Sequence, residues 1–273
     1  MKVQFHYGFK IDIDIDTNKL VHVYIDQIPT ESLSEGETRI VVIEEPKKGD
    51  LYHWALDKRN MTMYSHLLTF HEEILKDNPK AQLFHFPNTW VRDYKSPCKT
   101  FSVSTVVGGK NVNGLEGHNL RHQLWHHRHL IFLDKQFYLS GDAKGPHKFV
   151  RWKSVNYNGE LVLGASKNPL FDSMFHIVIE NTSIPNYFSE KLLDCFRSWT
   201  VPIYYGCTNI EKYFNPEGIF CVKNVREIIR VCNHINSSTY DELHDAIEDN
   251  YNRALLWDHP FERLKEKIKS IIQ

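Results

Sequence analysis

Between residues 3 and 15 every odd position is apolar: Val3, Phe5, Tyr7, Phe9, Ile11, Ile13 and Ile15. His6, Lys10, Asp12, Asp14 and Asp16 occupy even positions alongside them. Period two with one apolar face predicts a half-buried strand, because successive strand side chains point to opposite faces. Asp16-Thr17-Asn18 can turn the chain, and residues 20–25 predict a second strand. The run R-I-V-V-I at 39–43 predicts a third, ended by Glu44-Glu45-Pro46. Strand and helix signals then mix as far as the loop Pro87-Asn88-Thr89-Trp90.

A second unit is predicted to begin near Thr100. Residues 101–107 read as a strand, followed by Gly108-Gly109-Lys110 and a His- and Arg-rich segment of helical character. Residues 175–179 (F-H-I-V-I) have the composition of a buried strand. Leu192, Leu193, Phe196 and Trp199 mark a helical stripe over 190–199, and residues 201–205 are again a strand, closed by Gly206. Strand, helix and strand within about thirty residues make a βαβ unit and hence a parallel sheet. After Pro260, residues Phe261, Leu264, Ile268 and Ile271 recur at helical spacing, which predicts a terminal helix packed back on the body. The pattern gives an α/β protein with lobes at 1–98 and 99–258 and a C-terminal helix at 259–273.

Composition changes this picture mainly by exclusion. Hydrophobic residues are 41% of the 273 and charged residues 25%, which supports a packed core and excludes global disorder. Lys plus Arg number 33 and Asp plus Glu 34, a net charge of −1. The basic field that would hold a nucleic-acid backbone is therefore missing, and no nucleic-acid partner is expected. No apolar run approaches the ~20 residues of a bilayer-spanning helix, and the first residues carry no secretory h-region. The five cysteines, at 98, 195, 207, 221 and 232, form no C-x-x-C pair. In a chain of this length that argues against a disulfide framework and for a reducing compartment.

The strongest candidate chemistry lies between residues 175 and 206. Ligands of open α/β sheets sit beyond the carboxyl ends of strands, near helix N-termini. Here the strand exits through Glu180-Asn181 into a polar loop containing Tyr187, and a helix begins near Ser189-Glu190-Lys191. The first turn of a helix offers unpaired N–H groups and a partial positive charge, a natural phosphate site. Taken singly, Ser189 reads as an ordinary N-cap, Glu190 as a complement to the dipole and Lys191 as solvated. Together they form an unusually polar exit from a buried strand.

The same residues carry a resemblance. The stretch I-E-N-T-S-I-P-N-Y-F-S-E-K-L-L-D-C-F, continued by V-P-I-Y-Y-G-C and N-P-E-G-I-F, resembles glycosyltransferase family 10, the α-1,3/α-1,4-fucosyltransferases, over residues 167–222. A weaker similarity reaches back over G-H-N-L-R-H and the E-E-P turn. Ser189 stands where the family has Thr, Thr182 where it has Ser, and Met174 where it has Tyr. The resemblance implies a GT-B-like fold of two Rossmann-like lobes facing a cleft, with the nucleotide sugar held by the second lobe. It implies an inverting, metal-independent transfer from GDP-fucose to a glycan hydroxyl, with no cofactor. Donor binding would fall to Arg121, Asn181, Tyr187, Glu190 and Lys191, with Glu180 and Lys167 beside them. Glu190 would meet the ribose, and Lys191 and Arg121 the diphosphate. Glu45 aligns with the family's general base, Glu44 being its neighbouring alternative; on an extended segment only one of the two faces a given side. With no signal or membrane anchor in view, the chain differs from Golgi-resident relatives and is expected to be a cytoplasmic enzyme, bacterial or viral in a host cytosol.

Two motifs compete with this reading. Asp12-Ile13-Asp14-Ile15-Asp16 formally contains the D-x-D of metal-dependent transferases, but its alternation reads better as the solvent face of a strand. His118, His122 and His126 would share a helical face at a spacing compatible with zinc. With Arg121 and Arg128 interleaved and no cysteine near, an anion-facing segment is the better reading. The alternatives to a fucosyltransferase are a transferase for another nucleotide sugar, such as UDP-xylose, and a non-catalytic glycan- or nucleotide-binding module.

Overall fold

The computed structural model describes residues 3–8, 13–46, 49–92, 94, 98–110, 112, 114–140, 159–161 and 166–273, with backbone alone at 159–161. The chain divides into two compact units. Met1–Pro87, Pro185–Tyr187 and His259–Gln273 form the first; Asn88–Ile184 and Phe188–Asp258 form the second.

In the first unit, β1 (Gln4–His6), β2 (Leu20–Ile25), β3 (Glu37–Val42), β4 (His66–Thr69) and β5 (Ala81–Leu83) lie side by side in chain order, all parallel. Helix α1 (Gly49–Leu56) joins β3 to β4, and α2 (Glu72–Asp77) joins β4 to β5. The continuous apolar run of β3 follows from burial on both faces, as parallel strands require. Ile40 and Val42 pack with Val23, Leu68 and the C-terminal helix α8 (Pro260–Ile272), while Val41 packs with Ala55, Leu67 and Ile74. The expected terminal helix is therefore present, with Leu264 and Ile268 fully buried in this core.

The alternation over residues 3–15 does not make one long strand. β1 is three residues long, the chain bends at Tyr7 and Gly8, and Val3 N–H donates to Ile15 O at 3.4 Å. Val3 and Ile15 thus enter the same core from two neighbouring segments. Gly8 supplies no side chain for a strand to pack, which favours the bend. Phe9, Lys10, Ile11 and Asp12 lie outside the described residues. Asp14 and Asp16 are exposed on either side of buried Ile15, as a solvent face demands.

The second unit holds β6 (Thr100–Val107), β7 (Lys135–Ser140), β8 (Gly159–Leu161), β9 (Ser173–Ile179), β10 (Val201–Tyr205) and β11 (Phe220–Cys221). Their spatial order is β11-β10-β9-β6-β7-β8, all parallel. From the other edge this reads 3-2-1-4-5-6, the order of a dinucleotide-binding sheet, whose direction of winding reverses between β6 and β9. Helix α3 (Glu116–His127) follows β6, and α4 (Glu190–Arg197) follows β9. Helices α5 (Val225–His234), α6 (Ser237–Glu242) and α7 (His244–Leu255) follow the last strand.

Helix α4 shows why such an element forms where it does. Ser189 caps it, its hydroxyl accepting from Lys191 N–H at 3.3 Å. Leu192, Leu193 and Phe196 bury the predicted stripe. The helix ends at Arg197, short of the expected Trp199, because Trp199 turns left-handed at φ 54°. Thr200 N–H then donates to Cys195 O at 3.0 Å and Trp199 N–H to Phe196 O at 3.1 Å, closing a Schellman cap with a tryptophan where glycine is usual.

Among the described residues, no helix is long and apolar enough to cross a membrane. None of the five cysteines is in a disulfide.

Candidate functional site

The winding of the second sheet places a crevice for a ligand between the carboxyl ends of β6 and β9, and all the predicted donor residues of this unit lie on the elements around it. Helix α3 arrives close enough for Gly117 N–H to donate to Asn181 O at 3.0 Å. A Cβ at Gly117 would lie 1.8 Å from Glu180 O, so only glycine permits that approach. One turn on, Arg121 donates through Nε to Ile179 O at 3.0 Å and through a terminal nitrogen to Asn181 Oδ1 at 3.0 Å. His118 belongs to the same group: its Nδ1 accepts from Val112 N–H at 3.1 Å. Burial, then the Arg121 charge, lowers its pKa to about 4.

Beyond β9, Glu180 is completely buried. Ser189 N–H donates to its Oε1 at 2.8 Å and Ser189 Oγ to its Oε2 at 2.6 Å. A buried carboxylate needs such donors to offset its lost hydration. Gly206 makes room for it, since a Cβ there would fall 2.6 Å from Glu180 Cγ and 2.4 Å from the Tyr204 hydroxyl. Burial pushes Glu180 above the usual carboxylate range, with Lys191 pulling against it from 3.9 Å.

Lys191 Nζ also donates to Glu190 Oε1 at 3.0 Å and to Ser189 Oγ at 3.2 Å. Burial works to raise the Glu190 pKa, but Lys191 and then Lys167 outweigh it and hold the carboxyl at about 2. Burial likewise opposes the Lys191 charge, yet Glu190 and Glu180 keep its pKa above the ordinary lysine value. Arg121 acts on Lys191 in the opposite sense, as a second cation nearby. Lys167 Nζ donates to Asp194 Oδ2 at 2.9 Å, stands 3.9 Å from Glu190, and sits 4.2 Å above the Trp90 ring. Arg121, Asn181, Glu180, Glu190, Lys191 and Lys167 therefore form one connected polar group within the second unit.

The remaining predicted residues lie in the first unit. Tyr187 is 6% exposed, its ring 5.3 Å from that of Phe70, and its neighbour Asn186 donates to Phe70 O at 3.2 Å from a left-handed backbone at φ 61°. Glu44 Oε2 accepts from the Tyr7 hydroxyl at 3.2 Å, while exposed Glu45 lines a pocket of about 380 Å³ with Asp26 and Tyr52.

Over 61 residues, 22% of this chain, the sequence is 33% identical to α-(1,3)-fucosyltransferase FucT of Helicobacter pylori, and that match spans 13% of the relative's length. No family model matches the chain. A crystal structure of α1,3-fucosyltransferase with GDP-fucose superposes with a TM-score of 0.52 at 16% identity, over 90% of this chain and 78% of the other. The crystal structure of TarM gives 0.57 at 9% identity, over 91% and 54%.

The fold is GT-B. The resemblance to fucosyltransferases read from the sequence is likewise matched by the curated relative.

Three residues beside the predicted ones were not singled out by sequence reasoning. Glu116 Oε1 accepts from Thr182 Oγ1 and Ser183 N–H, both at 2.9 Å, and from the Tyr205 hydroxyl at 3.3 Å, tying α3 to the exits of β9 and β10. Asp194, completely buried, accepts from Trp90 N–H at 2.7 Å and Val91 N–H at 3.0 Å as well as from Lys167. Asp26 is the third. Only Glu116 left a usable signal, as the carboxylate opening the E-G-H-N-L-R segment.

Proposed function

We propose that this protein is an inverting, metal-independent glycosyltransferase that moves L-fucose from GDP-fucose to a hydroxyl of a glycan acceptor. The observation that carries the reading is the pair Arg121 and Lys191, two mutually opposed cations held at the reversal point of a 3-2-1-4-5-6 sheet. A site that holds two positive charges together gains most from a ligand with two negative ones, and a nucleoside diphosphate is that ligand. The fucosyltransferase-like stretch over the same residues supplies the sugar and the base.

In this reading the acceptor hydroxyl attacks the anomeric carbon as the bond to the diphosphate breaks, and a single displacement inverts the centre. Negative charge grows on the departing phosphate oxygen, where Arg121 presents forked donors and Lys191 a point charge. Glu190, ionised at neutral pH by Lys191 and Lys167, accepts from the ribose hydroxyls. Asn181 lines the donor site, and Glu180 and Lys167 hold Lys191 and Glu190 in place. Glu45 takes the acceptor proton.

Thermal unfolding with GDP, GDP-fucose, UDP, UDP-glucose and UDP-xylose, each with and without EDTA, tests the reading. At ~100 times Kd a ligand adds ~2.7 kcal/mol, a shift of several degrees for a chain of this size. The expected result is a GDP-selective shift that survives EDTA, with fucose transfer to an oligosaccharide panel. A UDP-selective shift, one lost in EDTA, or none at all contradicts it.

A further inference from the structure

Asp26 follows directly on β2, and its backbone is left-handed at φ 48°. That conformation is strained for a residue with a Cβ and persists where surrounding structure enforces it. Its N–H still continues the ladder, donating to Val42 O at 3.0 Å. Its side chain crosses the end of β3, where Oδ1 accepts from Glu44 N–H at 2.8 Å and the carboxylate also receives the Glu45 N–H. The turn therefore lashes down the two residues from which the proposed base is drawn. The Tyr7 hydroxyl engages the Glu44 carboxylate, and Glu45 lines the pocket that Asp26 and Tyr52 share.

We propose that Asp26 is a positioning residue for Glu45: by accepting the N–H groups of 44 and 45, its carboxylate fixes the segment that presents the base. This rests on the reading of Glu45 as the proton acceptor. Precise placement of a reacting group is worth orders of magnitude in rate, so a tether on its backbone is felt in kcat. The groups around Asp26 are Glu44 and Glu45 beyond β3, Tyr7 beyond β1, and Asp50 and Tyr52 on α1. Burial pushes the Asp26 carboxyl up to about 6, the Glu44 N–H opposing and the Glu45 charge adding. Protonation near pH 6 therefore removes the charge that strengthens these two bonds while leaving an acceptor oxygen in place.

The test measures GDP release from GDP-fucose by the wild type, Asp26→Ala, Asp26→Asn, Glu45→Gln and the double variant Asp26→Ala/Glu45→Gln. Asp26→Ala is expected to lower kcat by roughly 10- to 100-fold, with KM for GDP-fucose changed by less than about two-fold. Asp26→Asn keeps an acceptor oxygen and should recover kcat to within about five-fold of wild type, while losing the ionisation near pH 6 from the acid limb. In the Glu45→Gln background, Asp26→Ala should cost less than about three-fold, because residues acting through one another are not additive. An Asn variant as inactive as the Ala variant, or a full Ala effect in the Gln background, overturns the proposal. Failure of the underlying reading looks different: the wild type fails to turn over GDP-fucose, or Glu45→Gln keeps full activity. Amide exchange at Glu44 and Glu45 reads the tether itself, with protection expected in the Asn variant and its loss in the Ala variant.

Discussion

The strand exits of the two sheets carry acidic residues in opposite electrostatic settings. In the second unit Glu180, Glu190 and Asp194 are interleaved with Lys167 and Lys191, and Glu190 is held at about 2. In the first, Asp26 stands beside Glu44 and Glu45, and burial together with the Glu45 charge raises it to about 6. The difference teaches what each edge is able to do. An edge with paired cations suits an anionic ligand and does not titrate near neutrality. The other edge holds one buried carboxyl, Asp26, whose protonation changes near pH 6.

Breaking the cationic edge should have the largest effect. Lys191→Ala is expected to lower kcat/KM roughly a thousand-fold, about 4 kcal/mol at 1.36 kcal/mol per decade, as measured by transfer from GDP-fucose. Next comes the contact that builds that edge. Gly117→Ala forces a Cβ against Glu180 O, where 1.8 Å separates them. Urea unfolding should show a loss of about 3 kcal/mol.

The carboxylate edge should respond with the opposite sign. Asp26 is raised from 3.8 to about 6, so its ionisation penalises the fold above pH 6 and not below pH 4. Asp26→Asn should therefore stabilise the protein by roughly 2 kcal/mol at pH 7. The gain should shrink to nothing near pH 4 in a pH series of unfolding curves. Glu190 is the mirror case and the smallest effect. Lowered from 4.5 to about 2, it adds stability that is present above pH 4.5 and lost as pH falls towards 2. Glu190→Gln should cost about 1 kcal/mol at pH 7, allowing for its partial exposure, and nothing near pH 2.

Much of the second unit was legible because its signals are local. The strand at 201–205 was read to the residue, and the Ser189 cap and buried stripe placed α4 correctly at its start. Its end was not legible, because a tryptophan in a left-handed cap breaks the expectation that glycine marks such a stop. The polar exit of β9 was legible from its run of polar residues. That Glu180 is completely buried, and that Gly206 exists to admit it, depends on residues 26 positions apart meeting in space. The chain contiguity of Pro185–Tyr187 with α4 likewise hid their membership of the first unit. Asp26 gave no sign, since a lone acidic residue after a strand looks like any turn.

The most direct test of the central claim is calorimetric titration of GDP, in EDTA, into the wild type, Arg121→Ala and Lys191→Ala. The account predicts binding to the wild type and a loss of at least about 2 kcal/mol in each variant, the scale of a charge-assisted contact to phosphate. Wild-type affinity in both variants would contradict it.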